Sequence, residues 1–259
     1  MNTVSRLSLV CLAVAGCAKE REPAPTEMVD LVRFVFEHFE EDELLPEAVD
    51  NLDAWLQVNV DSEESKDGFR LQPLEPADVA GVDHPDVPLT DLIGACGGAR
   101  SPFPLDRHAT HMVLADQVFS NPGTYDEYYR AVEGDDDAFL DGTGVIRTAN
   151  DVTTTTLGIT VSYVLLKDYK WVEGETSRAV VARSWSEKPY CNDAGGTCLQ
   201  QTYSVDIFFD GGATETGRMT AAWNQLDSSL PLGEDTLVAT LAIGIQNVFK
   251  YTDEFLAGE

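Results

Sequence analysis

The alternation of apolar and polar residues changes period twice along this chain. Between 27 and 39, EMVDLVRFVFEHF places Met28, Leu31, Val32, Val35, Phe36 and Phe39 on one helical face. Thr26 is a suitable N-cap, and Glu27 and Asp30 stand near the positive end of the helix dipole. His38 falls near the other end, where a cation is favoured. A second helix is predicted from Pro46, a residue type favoured at the first helical position, with Val49, Leu52 and Leu56 as its stripe. Then the pattern dissolves. DSEESKDG reads as a solvated loop. Prolines at 73, 76, 85, 88, 102 and 104 break any long element across the connection 61–107. Only a short helix around Leu89 to Cys96 is predicted inside it.

Further on, period two takes over. THMVLAD reads as a strand and Ser120-Asn121-Pro122-Gly123 as a turn. TYDEYYRAV (124–132) reads as a helix, and DDDAFLDG as a second short one. Strands follow over 144–155, 157–172, 177–189, 199–209 and 216–226. In QTYSVDIFF, Tyr203, Val205, Ile207 and Phe209 face one way and Thr202, Ser204 and Asp206 the other, as in an antiparallel sheet with one packed face. Met219, Ala221 and Trp223 repeat the pattern. Glu173-Gly174-Glu175 and Asp210-Gly211-Gly212 supply hairpin turns. Residues 234–257 contain no proline, and Leu237, Leu241, Ile245, Val248 and Phe255 form one stripe before Gly258. Such a helix is about 36 Å long. Gly244 at its middle costs about 1 kcal/mol against Ala, which points to a close approach to the sheet. The expected fold class is α+β: an antiparallel sheet wrapped on a long C-terminal helix, with an N-terminal helical segment.

Over 109–257 the order is strand, two short helices, a run of antiparallel strands and one long helix. This order resembles the helix-grip fold of the START and SRPBCC superfamily, and ADQVFSNPGTYDEYYRAV is similar to that family's first strand and helix. The resemblance implies an apolar cavity between the curved sheet and the long helix. Family members use it to hold lipids, sterols, polyketides or other hydrophobic molecules. The lining residues it implies are Tyr163, Trp185, Tyr203, Ile207, Trp223, Ile245 and Phe249. The alternative is that these side chains fill a solid core, as aromatics at strand and helix periods commonly do.

The first residues change the picture again. Arg6 precedes a short apolar run, Leu7 to Ala15, broken only by Ser8. Spanning a bilayer takes roughly 20 apolar residues, so the run reads as a secretory signal. Its end, Val14-Ala15-Gly16-Cys17, resembles the bacterial lipobox. That implies cleavage before Cys17, diacylation of its thiol and acylation of the new amino group. More than one acyl chain makes anchoring stable. By resemblance to enteric sorting, Ala18 favours the outer membrane. The polar stretch AKEREPAPTE then reads as an extended tether. The expected organisation is a signal peptide (1–16), a lipidated tether (17–26), a helical segment with the proline-broken loop (27–108) and an α+β domain (109–259).

Charge narrows the partners. The formal net charge is −28, and Arg6 is the only charge in the first 16 residues, so the remainder is one unit more negative. So acidic a surface repels nucleic acid and anionic head groups. The partners left are a bilayer reached through Cys17, a hydrophobic small molecule, or another envelope protein. Cys191 and Cys198 flank Asn-Asp-Ala-Gly-Gly-Thr between two strands. In an oxidising space they predict a disulfide stapling the hairpin, worth about 2.5 kcal/mol for so small a ring. Cys96, in GACGG, is left over as a buried or a free thiol. On a helix His108 and His111 would share a face and could bind a metal; in an extended segment they point apart, and no metal site is expected. Asp135, Asp136, Asp137 and Asp141 lack the spacing of a calcium loop. No phosphate loop, dinucleotide fingerprint or G-x-S-x-G occurs, so no cofactor and no catalytic residue is assigned. The leading reading is a membrane-anchored envelope lipoprotein that binds a hydrophobic small molecule. Beside it stand an interaction lipoprotein with a solid core that recognises a partner through 61–107, and a hydrolase or cyclase-like enzyme using the His108/His111 region.

Overall fold

The computed structural model describes residues 23–122, 124–156, 159–192, 196–228 and 233–258. The signal segment, Cys17 and most of the tether lie outside them. The described chain opens with α1 (Met28–Glu37) and α2 (Leu45–Asn59). Glu27 rather than Thr26 is the N-cap of α1, with no side-chain hydrogen bond, and Pro46 stands in the first turn of α2. His38 caps the C-terminus of α1 and meets Glu41 Oε1 at 2.8 Å.

The connection 61–107 holds more structure than its prolines predict. DSEESKDG is not a loop: Ser62 caps α3 (Glu63–Asp67), whose Ser65 is buried. Strand β1 (Phe69–Leu71) follows. The helix expected at Leu89 to Cys96 is a single 3-10 turn, Leu89–Asp91, and the rest belongs to strand β2 (Ile93–Ser101). Its sequence, IGACGGARS, has poor strand propensity for a packing reason. A Cβ at Gly94 would stand 2.5 Å from Trp223, one at Gly98 2.9 Å from Leu56, and one at Gly97 3.0 Å from Gln246. Small residues let elements on both faces close onto this strand.

Two further expectations are reversed. THMVLAD is not a strand; it overlaps α4 (Leu105–Met112). Leu105, Ala109 and Met112 have helical spacing, which shows only when the segment is taken from Pro104. TYDEYYRAV is not a helix; most of it is strand β3 (Glu127–Gly134). Its apolar positions 125, 128, 129 and 132 match a helical stripe. In the structure Tyr128 and Arg130 are buried while Tyr129 is 59% exposed, a period of two. After α5 (Asp136–Leu140) come β4 (Val145–Thr156), β5 (Ile159–Glu173), β6 (Arg178–Trp185), β7 (Tyr190–Cys191), β8 (Thr197–Asp210), β9 (Thr216–Ser228) and α6 (Glu234–Gly258).

All strand pairs are antiparallel, in the order β1-β2-β9-β8-β6-β5-β4-β3, with β7 added to β8. The expected boundary at 108 falls inside α4, and β1 and β2 on its N-terminal side join the sheet through β9. Cys191 and Cys198, a cross-strand pair, form the disulfide.

The sheet is covered on both faces, not one. The face carrying Tyr203, Val205, Ile207, Met219, Ala221 and Trp223 packs against α1 and α2 in one apolar cluster with Leu31, Phe36 and Leu52. Acids on the α1–α2 connection seal its edge: Glu40 reaches the buried Arg183 at 2.6 Å, and Asp42 reaches Lys170 at 2.7 Å. From α2, Asp50 accepts hydrogen bonds from the backbone of Glu175, Thr176 and Ser177 in the β5–β6 hairpin. Gly174 is required there, since a Cβ would stand 2.3 Å from Asp50 Oδ1. The opposite face looks toward α6, α4 and α5.

Partial burial disfavours the Asp50 charge, but the hydrogen bonds from Thr176, Glu175 and Ser177 outweigh it and hold the carboxyl below the usual carboxylate range. A folded-state value lower than that of the unfolded chain gives stability that is full above the usual carboxylate range and is lost as pH falls below it through the lowered folded-state value. Asp50→Ala is therefore expected to cost about 2 kcal/mol at neutral pH. Urea unfolding at pH 7 and pH 3 checks this, with the difference between the two proteins narrowing at pH 3.

Candidate functional site

Between the sheet's second face and α6 lies a cavity of about 570 Å³. Strand alternation sets its floor. With the odd-numbered apolar residues of β8 committed to α1 and α2, Thr202, Ser204, Asp206 and Phe208 face the cavity, beside Arg218, Thr220, Ala222 and Asn224 from β9. Tyr163, Leu165, Lys167 and Tyr169 come from β5, and Tyr128 and Arg130 from β3. The roof is α6, which presents Leu237, Leu241, Ile245, Val248 and Phe249. The cavity is thus amphipathic: α6 gives it a largely apolar roof, and its floor mixes polar side chains with apolar ones such as Leu165, Phe208 and Ala222. Ile243, 60% exposed, also borders it.

Gly244 borders this space, and a Cβ there would meet nothing within 4 Å. The expected close approach of Gly244 to the sheet is therefore absent; the glycine faces the void. The C-terminal half of α6 is tied down instead. Arg218 donates to Asp253 Oδ2 at 2.7 Å and to the Phe249 carbonyl at 3.1 Å, and Ser101 Oγ donates to Asp253 Oδ1 at 2.6 Å.

On the floor, Lys167 Nζ lies 2.5 Å from Asp206 Oδ2, and Asp206 Oδ1 accepts from Thr220 Oγ1 at 2.6 Å. Burial opposes the Lys167 charge, but Asp206 more than offsets it and raises the ammonium above its ordinary range. This ammonium stays charged and is no Schiff-base nucleophile at neutral pH. Burial also raises the phenols of Tyr125, Tyr163 and Tyr169, so all three are neutral.

The helix that replaces the expected strand puts both histidines inside. His108 Nε2 meets Ser101 Oγ at 2.9 Å, and its Nδ1 is buried without a partner. His111 borders the cavity, where its Nε2 and Asn121 Oδ1 have no hydrogen-bond partner. Burial lowers both imidazoles to about 3, helped at His111 by the charges of Arg130, Arg218 and Lys167 and at His108 by those of Arg218, His111 and Arg107. Among the described residues no group of three His, Cys, Asp or Glu is placed to hold a metal. Cys96 is buried, and burial pushes its thiol up, away from reactivity.

Of the seven residues expected to line the cavity, Tyr163, Ile245 and Phe249 border it. Trp185, Tyr203, Ile207 and Trp223 do not; they belong to the solid core under α1 and α2. The physical reason is competition for the apolar face. The N-terminal helices claim it, and the cavity receives the polar one. The polar members of QTYSVDIFF are the available signal for the floor. His111, Asn121 and Arg130 carry none, because the pattern of their segments points to the wrong elements.

These features define an α+β protein with a helix-grip-like sheet, a long C-terminal helix and an amphipathic internal cavity. No protein-family model and no curated protein matches the chain. Solved structures similar to it include TTHA0849 from Thermus thermophilus, at 14% identity and a TM-score of 0.42, over 64% of this chain and 99% of that one. The Zhui aromatase/cyclase from Streptomyces sp. R1128 is similar at 12% identity and a TM-score of 0.39, over 63% and 94%. Ara h 8.0201 is similar at 12% and 0.38, over 65% and 99%.

The buried histidines give a pH signature. In the unfolded chain they bind protons near pH 6.5; in the fold they do so only near 3. The unfolded state then takes up more protons, so stability falls as pH drops from about 6.5 toward 3. In denaturant titrations across that window, His108→Gln and His111→Gln are each expected to flatten the loss. A slope unchanged in both variants would contradict it.

Proposed function

We propose that this protein is an exported, lipid-anchored envelope protein that binds a hydrophobic or amphipathic small molecule in the cavity between its sheet and α6. The observation that carries the binding reading is the unfilled space under α6, bordered by Gly244 on one side and by a floor that carries polar side chains on the other. Interiors normally pack without voids of this size. A cavity of about 570 Å³ falls in the range of small-molecule sites. The Lys167–Asp206 pair and the neutral tyrosines give the floor hydrogen-bonding capacity, and α6 supplies apolar contact. The anchoring part of the reading rests on the resemblance of Val14-Ala15-Gly16-Cys17 to the lipobox.

Native mass spectrometry of protein purified from an envelope extract tests the binding reading. A retained small molecule of defined mass is expected. Gly244→Trp, which fills the space, should lower its occupancy by about tenfold or more; occupancy equal to wild type would place the ligand elsewhere. Intact mass of the detergent-extracted protein tests the anchor. The expected species begins at Cys17 and carries the mass of several acyl chains, whereas a chain beginning at Met1 with an unmodified Cys17 would end that part of the reading.

A further inference from the structure

Three cations border the cavity: Arg130, Lys167 and Arg218. Two are matched by acids. Lys167 Nζ lies 2.5 Å from Asp206, and Arg218 lies 2.7 Å from Asp253. Arg130 is different. Its Nε donates to Asn150 Oδ1 at 2.8 Å, one terminal nitrogen donates to the Met112 carbonyl, and the other donates to the Tyr128 hydroxyl at 3.1 Å. None of these acceptors is a carboxylate. Among the described residues no carboxylate stands at ion-pair distance from the group. Three bonds leave two of its five N–H groups unused. Yet Arg130 is only 7% exposed, and a guanidinium keeps its charge at any physiological pH. Burying a charge without a counter-charge is costly. The rings of Tyr128 and Tyr169, at 5.4 and 5.6 Å, offset part of that cost.

The surrounding groups do not supply the missing charge. Tyr125, Tyr163 and Tyr169 are held neutral by burial. On α4, His111 is adjacent to Met112, whose carbonyl holds Arg130, and His111 Nε2 is buried at the cavity wall with no partner. A neutral imidazole can donate from that nitrogen. Around Arg130 and His111 the wall therefore offers donors without a matching acid, while Asp206 is already committed to Lys167 and Thr220.

We propose that the ligand is an organic anion, a carboxylate or a comparable oxyanion on an apolar body, whose acid group pairs with Arg130 and accepts from His111 while the body lies along α6. This rests on the cavity reading above and narrows it to one chemical class. The anion supplies the counter-charge, and charge-assisted bonds to the unused N–H groups give specificity over neutral analogues. The acidic exterior adds a kinetic consequence. Long-range repulsion slows entry of an anion at low ionic strength, so its association rate should rise with salt, while the buried contact is little screened.

The test compares matched probes on the full chain extracted in detergent: decanoate against decan-1-ol, and 2-naphthoate against 2-methylnaphthalene, by native mass spectrometry and calorimetry. The carboxylates are expected to bind about tenfold or more tightly than their neutral partners. Arg130→Met should weaken carboxylate binding by about thirtyfold or more and bring the ratio toward one. Should that variant fail to fold, Arg130→Lys keeps the charge, and the wild-type preference is in any case read without a variant. Equal affinity for acid and neutral probe would overturn the anion proposal and leave the cavity reading standing. No uptake of any of the four probes, together with no retained molecule in envelope-purified protein, would overturn both.

Discussion

Phe36 of α1 and Phe39, just beyond its C-terminus, decide how the rest of this molecule is used. Phe36 meets Tyr203 edge-on at 5.7 Å and Trp223 at 6.4 Å, and the Arg183 guanidinium sits 4.6 Å over the Phe39 ring. These contacts commit the apolar face of β8 and β9 to the N-terminal helices. A strand has only two faces, and its side chains alternate strictly between them. The face left for α6 is therefore the one bearing Thr202, Ser204, Asp206, Thr220 and Asn224. Polar side chains cannot be covered by a long apolar helix without partners or space. The structure supplies both, pairing Asp206 with Lys167 and Thr220 and leaving a cavity over them.

The chain's many acids take part in the same arrangement. Glu40, Asp42 and Asp50 dock the helical layer onto basic side chains and backbone N–H groups of β5, β6 and their hairpin. Asp253 anchors the C-terminal half of α6 through Arg218 and Ser101, while Arg70 meets Glu234 and Asp235 at its N-terminal end. Such clamps hold the roof at both ends, Gln246 near its middle donates to the Ser65 carbonyl and packs on Gly97 of β2, and Gly244 is left bordering the cavity. A helix pinned in this way can stand over an open space without collapsing into it.

Much of the architecture was legible in the sequence. Apart from β7 and the early end of β6 at Trp185, the strands from 144 onward, the turns at Gly174 and at Gly211-Gly212, α6 and the Cys191–Cys198 bridge follow from period, turn chemistry and spacing. Errors concentrate in two kinds of segment. In 93–101 the residues are small because Trp223, Leu56 and Gln246 need the room, so the propensity argues against the strand that packing imposes. In 105–132 the apolar positions fit both periods, and only neighbours arbitrate between them. The lining residues follow the same logic: a pattern of two shows which side chains share a face, and Tyr203, Ile207 and Trp223 do share one.

What the pattern cannot state is which face meets which partner. By itself the sequence determined the period of each long element, the hairpins that connect them, the disulfide spacing and the strong negative charge, because these depend on neighbours within a few residues. Only the tertiary structure decided that α1 and α2, more than a hundred residues away from β8, would take the sheet's apolar face. It also decided that Arg130, His111 and Lys167 would meet around one cavity. Those are long-range choices between packing solutions that local pattern leaves equal, and burial of the largest apolar area settles them.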